Sequence, residues 1–273
     1  MKKILTLSIA LLVGSLAFGQ KTVTRTFDVT SFDAIDASYC YEIEVIKGRK
    51  CAVTIEAPDD IINKLIVGVH DSELELSVSG EWWRSVERTW KKDHNVKATV
   101  TMPDLVSVEL HTAAQLTSND SFSPKNFDLE MSGASSCSLN IMTHTADIEI
   151  GGASTLNLKG LATRSEIEVG GASSLHFQQD ADYVSLKVSG ASNATMTGTV
   201  TKAQVQVSGA SSLHAFGYEA EEMDVNCSGA SDADVLVTKH IGVHASGASD
   251  IRVKGNPSFT HTSSTGASSI KTL

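Results

Sequence analysis

Along most of the chain, apolar and polar residues alternate in short runs, and each run breaks at the same three small residues. Phe127-Asp128-Leu129-Glu130-Met131 leads into Gly133-Ala134-Ser135, and the pattern then returns through the rest of the sequence. Counting from each such glycine, positions −4 and −2 are mostly apolar: Leu129 and Met131, Ile148 and Ile150, Ile167 and Val169, Leu186 and Val188, Val205 and Val207. Positions +4 and +6 repeat the trend with Leu156 and Leu158, Leu175 and Phe177, Ala194 and Met196, Ala233 and Val235, Ile251 and Val253. A period of two predicts strands whose alternate side chains point to one face. No 3.6-residue periodicity suggests helix.

Gly-Ala-Ser occurs eight times, its glycines being Gly133, Gly152, Gly171, Gly190, Gly209, Gly229, Gly247 and Gly266, spaced by 19, 19, 19, 19, 20, 18 and 19. A unit this short cannot bury its own apolar face, so a fixed period near 20 residues predicts a solenoid. Parallel stacking pairs each strand with its equivalent one coil above and below, which makes a single-stranded parallel β-helix of ~19-residue coils. A second glycine at +8 (Gly160, Gly198, Gly217, Gly255) predicts a corner where the backbone bends or takes positive φ. The serines Ser135, Ser154, Ser173, Ser192, Ser211, Ser231, Ser249 and Ser268 would then stand one per coil. Eight stacked equivalents cannot all be nucleophiles, and no Gly-x-Ser-x-Gly elbow or adjacent Ser–His pair sets one apart. They are expected to be a structural hydrogen-bonding ladder, with no catalytic residue among them.

Residues 24–110 are less regular. Tyr39–Ile46, Cys51–Ile55, Leu74–Val78, Val96–Val100 and Val106–Leu110 alternate, but without a fixed spacing, which suggests wider coils or a strand-rich cap. "HTAAQLTS" at 111–118 has the look of a degenerate first coil, and terminal repeats are expected to be atypical.

Lys2 and Lys3, the apolar run Ile4–Leu16 and then Ala17-Phe18-Gly19 predict a secretory signal over residues 1–19. The product is expected to be exported, in the periplasm, at the cell surface or secreted, as one domain over 20–273. No second stretch approaches the ~18–20 apolar residues of a membrane span, and no cysteine at the cleavage point suggests a lipid anchor. Loss of two lysines takes the formal charge from −10 to −12. That balance disfavours nucleic acid and anionic membranes as partners. Of four cysteines, Cys137 and Cys227 belong to coils five apart, ~24 Å at ~4.8 Å per strand, too far for a disulfide. Cys40 with Cys51 stays open as a pair.

The N-terminal "FDAIDASYCYEIEVIKGRKCAVTIEAP", then "SELELSV" and "VTMPDLVSVEL", leading into serial Gly-Ala-Ser coils, resemble the putative auto-transporter adhesin head GIN domain family over residues 24–273. The resemblance implies a right-handed β-helix, similar in shape to pectin-lyase folds, with an adhesion or cell-envelope role, no established catalytic residues and no cofactor. The regular Ala-Ser after every glycine departs from the looser family pattern.

Two features stand apart from the scaffold. "GEWWRSVERTWKKDHN" at 80–95 holds all three tryptophans, Trp82, Trp83 and Trp90, beside Arg84, Arg88, Lys91 and Lys92. Aromatic and arginine side chains gathered on one projecting segment suit a protein partner or a sugar ring. The competing reading is a segment that folds back to cap the open end. The second feature emerges only when coils are stacked. Position −3 carries Glu130, Glu149 and Glu168, and position −5 carries Asp128, Asp147 and Glu166. Like charges ~5 Å apart repel, so a hard divalent cation such as Ca²⁺ would be chemically suited to offset them. The plainer alternative is a solvated face screened by salt. Histidines predict no metal site: His176 and His214 share a column two coils apart, ~10 Å, and no zinc-type spacing is present.

Three functional classes remain. The leading one is a non-catalytic exported β-helix acting by surface contact on protein or glycan. The second is a structural homo-oligomer, suggested by a last coil in which Thr262 and Ser264 replace the inward apolar pair. The third is a carbohydrate-active enzyme of pectin-lyase shape, which would need acids gathered in a groove.

Overall fold

A computed structural model describes residues 22–79 and 96–273. The described residues form nineteen strands in one hydrogen-bonded system, without a helix. The first ten are β1 (Thr22–Phe27), β2 (Ala34–Ala37), β3 (Tyr41–Lys47), β4 (Ala52–Pro58), β5 (Leu65–His70), β6 (Glu73–Val78), β7 (Val96–Met102), β8 (Ser107–Leu110), β9 (Gln115–Phe122) and β10 (Asn126–Met131). The repeats follow as β11 (Ser136–Ile150), β12 (Thr155–Val169), β13 (Ser174–Val188), β14 (Asn193–Val207), β15 (Ser212–Cys227) and β16 (Asp232–Ala245). The last three are β17 (Asp250–Lys254), β18 (Ser258–Ser264) and β19 (Ser269–Thr272).

From β10 onward every pairing is parallel. Ser136 lies beside Thr155 and Ile150 beside Val169, so one turn of the chain returns each side chain to its own kind. The apolar positions therefore stack into columns. Leu129, Ile148, Ile167, Leu186, Val205, Val225 and Val243 form one of them, and all seven are buried. The irregular spacings are absorbed by register shifts at Thr195/Thr197 and Ala215/Glu219. Gly160, Gly198 and Gly255 have the positive φ expected at a corner, whereas Gly217 does not, because the shift at Thr195/Thr197 moves it beside Thr197.

The Gly-Ala-Ser turn has a physical reason that Gly171 illustrates. Its φ is 75°, a region that side chains disfavour, and a Cβ there would lie closer than 3.0 Å to the carbonyl oxygen of Gly152. The missing side chain lets Ala172 N–H donate to Gly152 O at 2.7 Å, and Ala191 N–H repeats this to Gly171 O at 2.8 Å. At the head of this column two larger residues take the same backbone shape, Thr112 at φ 66° and Tyr39 at φ 67°. Where those two stack, Ala113 N–H reaches Tyr39 O at 3.1 Å.

The eight serines run beside this turn, with Ser135 to Ser249 buried and Ser268 half-buried. Ser154, Ser173 and Ser192 N–H each face the next serine's Oγ at 3.3 Å, while Ser231 and Ser249 Oγ donate to Ser228 O and Ser246 O at 2.9 Å. A buried hydroxyl satisfied in this way is bound into the scaffold. Among the described residues none of the four cysteines is in a disulfide. Cys51 Sγ instead lies 3.3 Å from Phe32 O, and burial pushes the Cys227 thiol up to about 12.

The N-terminal third is a cap whose coils stack out of sequence order. β2 and β3 lie between the β6–β7 coil on one side and the β8–β9 coil on the other, all parallel. Three antiparallel pairings close the far edge: β1 on β4, β4 on β7 and β5 on β6. β1 and β5 become the outer strands there, each paired on one side only among the described residues.

Candidate functional site

The register that stacks the core also stacks what faces outward. Glu130 pairs with Glu149 and Glu149 with Glu168, while Asp128 pairs with Asp147 and Asp147 with Glu166. The cap extends the first of these columns. Glu75 lies beside Asp36, Asp36 beside Glu109 and Glu109 beside Glu130, so six carboxylates on consecutive strands form one line from Glu75 to Glu168. The line ends at Lys187, which is next in register to Glu168 and continues as Gln206, Asn226 and His244.

Each of these acids is held outward by its flanks. Ile35-Asp36-Ala37, Leu74-Glu75-Leu76, Val108-Glu109-Leu110 and Ile148-Glu149-Ile150 all place a carboxylate between two buried apolar residues. Burial of the flanks fixes the strand's rotation, and the acid has only the outer face left.

The electrostatics change along the line. At one end the chain supplies its own cations: Lys187 Nζ lies 2.5 Å from Glu168 Oε1, and Arg164 Nη2 lies 2.7 Å from Glu166 Oε1. Those contacts raise the Lys187 ammonium and Arg164 guanidinium above their ordinary values. Toward the cap the carboxylates crowd one another instead. Partial burial pushes Asp36 and Glu73 up, and neighbouring Glu109 and Glu75 push both in the same direction, although His111 pulls Asp36 down. Burial, then the Asp147 charge, raises Asp128.

His111 follows β8 directly and sits on the same side as Glu109, two residues back. Its Nε2 lies 3.9 Å from Asp36 Oδ1 and 3.7 Å from Glu109 Oε2, and its Nδ1 is 2.8 Å from Ser132 Oγ.

A second acidic region lines an open cleft of about 520 Å³ across β11 to β15, where Asp180, Asp182, Glu219 and Glu221 share the wall with the exposed Leu161. Two of these acids are engaged. Asp180 Oδ1 accepts from Thr199 N–H at 2.7 Å and Oγ1 at 2.9 Å, and Lys239 Nζ lies 2.7 Å from Glu221.

The chain matches the family described as "Putative auto-transporter adhesin, head GIN domain" over residues 31–179 and again over 164–257. It belongs to that family. Solved structures resemble this head GIN chain along nearly its whole length. A putative lipid binding protein from Parabacteroides distasonis ATCC 8503 is 14% identical with a TM-score of 0.65, the match covering 92% of this chain and 96% of that one. A putative adhesin from the same strain is 14% identical at TM-score 0.64, covering 93% and 97%. A putative adhesin from Parabacteroides merdae ATCC 43184 is 15% identical at TM-score 0.61, covering 93% and 96%. At such identities the likeness concerns the fold. No curated protein matches the chain.

Within this head GIN fold the six acids singled out from the repeats, Asp128, Glu130, Asp147, Glu149, Glu166 and Glu168, do stand together on three adjacent strands. Trp82, Trp83, Arg84 and Trp90 lie outside the described residues, as does the segment read as a secretory signal. Among the described residues no helix is long and apolar enough to cross a membrane. Glu75, Asp36, Glu109 and His111 escaped the repeat-based reading because their strands stack out of chain order. The apolar–acid–apolar triplet was the sequence signal that links the three acids, and His111 carries no such mark.

Proposed function

We propose that this chain is a non-catalytic, exported surface-contact module of the cell envelope, adhesin-like in role, whose outer acidic face meets a protein or glycan partner. The observation that carries the reading is the unbroken carboxylate line from Glu75 to Glu168, presented on a rigid parallel face in a family described as an adhesin head. A linear array of one sign recognises an extended partner of the other sign, and it sets association rate and salt dependence more than bulk affinity. The tryptophan segment, with Trp82, Trp83, Arg84 and Trp90, supplies a second contact element.

The test uses labelled full-length chain against intact cells of the producing strain and against a glycan array. The quadruple variant Asp128→Asn, Glu130→Gln, Asp147→Asn, Glu149→Gln is expected to remain folded, since it removes like charges set directly opposite one another. Its binding is expected to fall at least about tenfold, while wild-type binding weakens as salt screens the face. A triple Trp82→Ala, Trp83→Ala, Trp90→Ala variant reads the second element separately. Wild-type protein that binds neither cells nor glycans overturns the proposal.

A homo-oligomer is the second reading. It is favoured by β18 and β19, each of which pairs on one side only among the described residues, and by Phe259, exposed at 41%. Light scattering separates the two: a monomer at micromolar concentration removes it.

A further inference from the structure

Asp36, Glu109 and His111 form a group whose ligand atoms all lie within 4.8 Å of one another, in a cap whose strands are far apart in sequence. Three separate features of the backbone put them there. Asp36 on β2 stands directly beside Glu109 on β8. His111 lies two residues beyond Glu109, so period two returns its side chain to the same face. Its N–H donates to Ala37 O at 2.9 Å, which ties the histidine's own backbone to the strand that carries Asp36.

The side-chain geometry is that of groups facing a common gap. His111 Nε2 stands 3.9 Å from one carboxylate oxygen and 3.7 Å from the other, beyond hydrogen-bond length. Ligands held at ~2.0–2.2 Å around one ion lie ~3–3.6 Å apart, so a small closing motion brings all three into coordination. The other ring nitrogen is occupied by Ser132 Oγ at 2.8 Å. A second hydrogen bond of this kind orients a ligating imidazole and leaves its free nitrogen for the ion. All three residues are half-buried, which leaves a position open to water.

We propose that Asp36, Glu109 and His111 bind a divalent first-row transition cation of the Zn²⁺ class, clipping β2 to β8 with Ser132 as the positioning residue for the imidazole. One imidazole with two carboxylates suits such an ion, whereas Ca²⁺ prefers an all-oxygen set. The ion would also add a side-chain clip to two paired strands that no short connection joins. Asp36 and Glu109 also belong to the carboxylate line on which the adhesin-like reading rests, but Zn²⁺ uptake is read separately from binding to cells or glycans, so either can fail alone.

Isothermal titration of the EDTA-stripped full chain with Zn²⁺ tests it, with Ca²⁺ titrated in parallel. Wild type is expected to take up one Zn²⁺ whose affinity falls at least about tenfold in both His111→Ala and Asp36→Asn, while His176→Ala, at an exposed position on the repeats, binds as wild type. Zn²⁺ is expected to raise the melting temperature of wild type and to leave that of His111→Ala unchanged. Ser132→Ala is expected to weaken Zn²⁺ with the β-sheet circular dichroism intact. If His111→Ala fails to fold, Glu109→Gln carries the same comparison. A wild type that takes up no Zn²⁺, or a His111→Ala or Glu109→Gln protein that binds Zn²⁺ as wild type does, overturns the assignment, as does Ca²⁺ binding tighter than Zn²⁺.

Discussion

Gly171→Ala is expected to destabilise the fold by about 3 kcal/mol, whereas Gly170→Ala, one residue earlier, changes stability by no more than about 0.5 kcal/mol. The two positions differ in what a methyl group would meet. At Gly170 the nearest atoms are Ser189 Oγ at 3.6 Å and Ile150 O at 3.9 Å, ordinary contact distances. At Gly171 the methyl would press on the backbone of Gly152, and φ is 75°. A left-handed backbone alone disfavours a side chain by about 1–2 kcal/mol, and the Gly152 carbonyl cannot swing away without breaking its bond from Ala172 N–H. For a domain of this size the loss corresponds to a fall in melting temperature of roughly 6–12 °C. Thermal denaturation of the two variants side by side reads the difference. Thr112 and Tyr39 show how the same turn tolerates larger residues only at the head of the column, beside a longer 3.1 Å rung.

Phe177→Ala is expected to cost about 4 kcal/mol, from the cavity and the lost ring contact together. Phe177 is 2% exposed, and its inward column holds Leu139, Leu158 and Met196. Its ring meets Tyr218 edge-on at 6.0 Å and 79°. The neighbours are held by ladders above and below, so the interior cannot collapse into the space. Phe177→Leu, which keeps most of the volume, is expected to lose under about 1.5 kcal/mol. Phe259→Ala, at a side chain 41% exposed, is expected to lose under about 1 kcal/mol. Chemical denaturation of the three variants orders them, and equal losses for Phe177→Ala and Phe259→Ala would mean that the column is not a packed interior.

The repeats were legible in the sequence because a parallel stack forces equivalence. Each coil sees the same neighbours, so Leu129, Ile148 and Ile167 face one selection for size and Gly133, Gly152 and Gly171 one demand on φ. Period two then assigned the inner and outer faces, which is enough to bring Asp147 beside Glu166 without coordinates. Local accidents were less readable. Gly217 has the spacing of a corner but loses the role to a register shift, a matter of one residue that alternation does not register.

The cap resisted for a different reason. β2 pairs with β6 and β8, and β3 with β7 and β9, so its contacts obey no period. Only pairing across a long stretch of chain brings Asp36 to Glu109, whereas His111 meets Ser132 one coil on, 21 residues later. Tertiary arrangement of this kind leaves no trace in composition, although the hydrophobic flanks of Asp36, Glu75 and Glu109 do announce three more outward acids. The cap thus adds Glu75, Asp36 and Glu109, with the histidine at their side, to a column that the repeats continue, and its repulsion is relieved at the opposite end by Lys187 on Glu168, while Arg164 answers Glu166 in the adjacent column.

The stacking of equivalent residues is tested most directly by electron–electron distances between nitroxides on one outward column. Ser138, Asn157, His176, Thr195, His214, Asp234, Arg252 and Lys271 are successive neighbours in register. With Cys40 and Cys51 replaced by serine, labels at Ser138→Cys with His214→Cys are expected about 19 Å apart, and at Ser138→Cys with Lys271→Cys about 34 Å, growing by ~4.8 Å for each intervening coil. Two distances that fail to grow in proportion to the number of coils would contradict the stack, and with it the acidic line and the serine ladder.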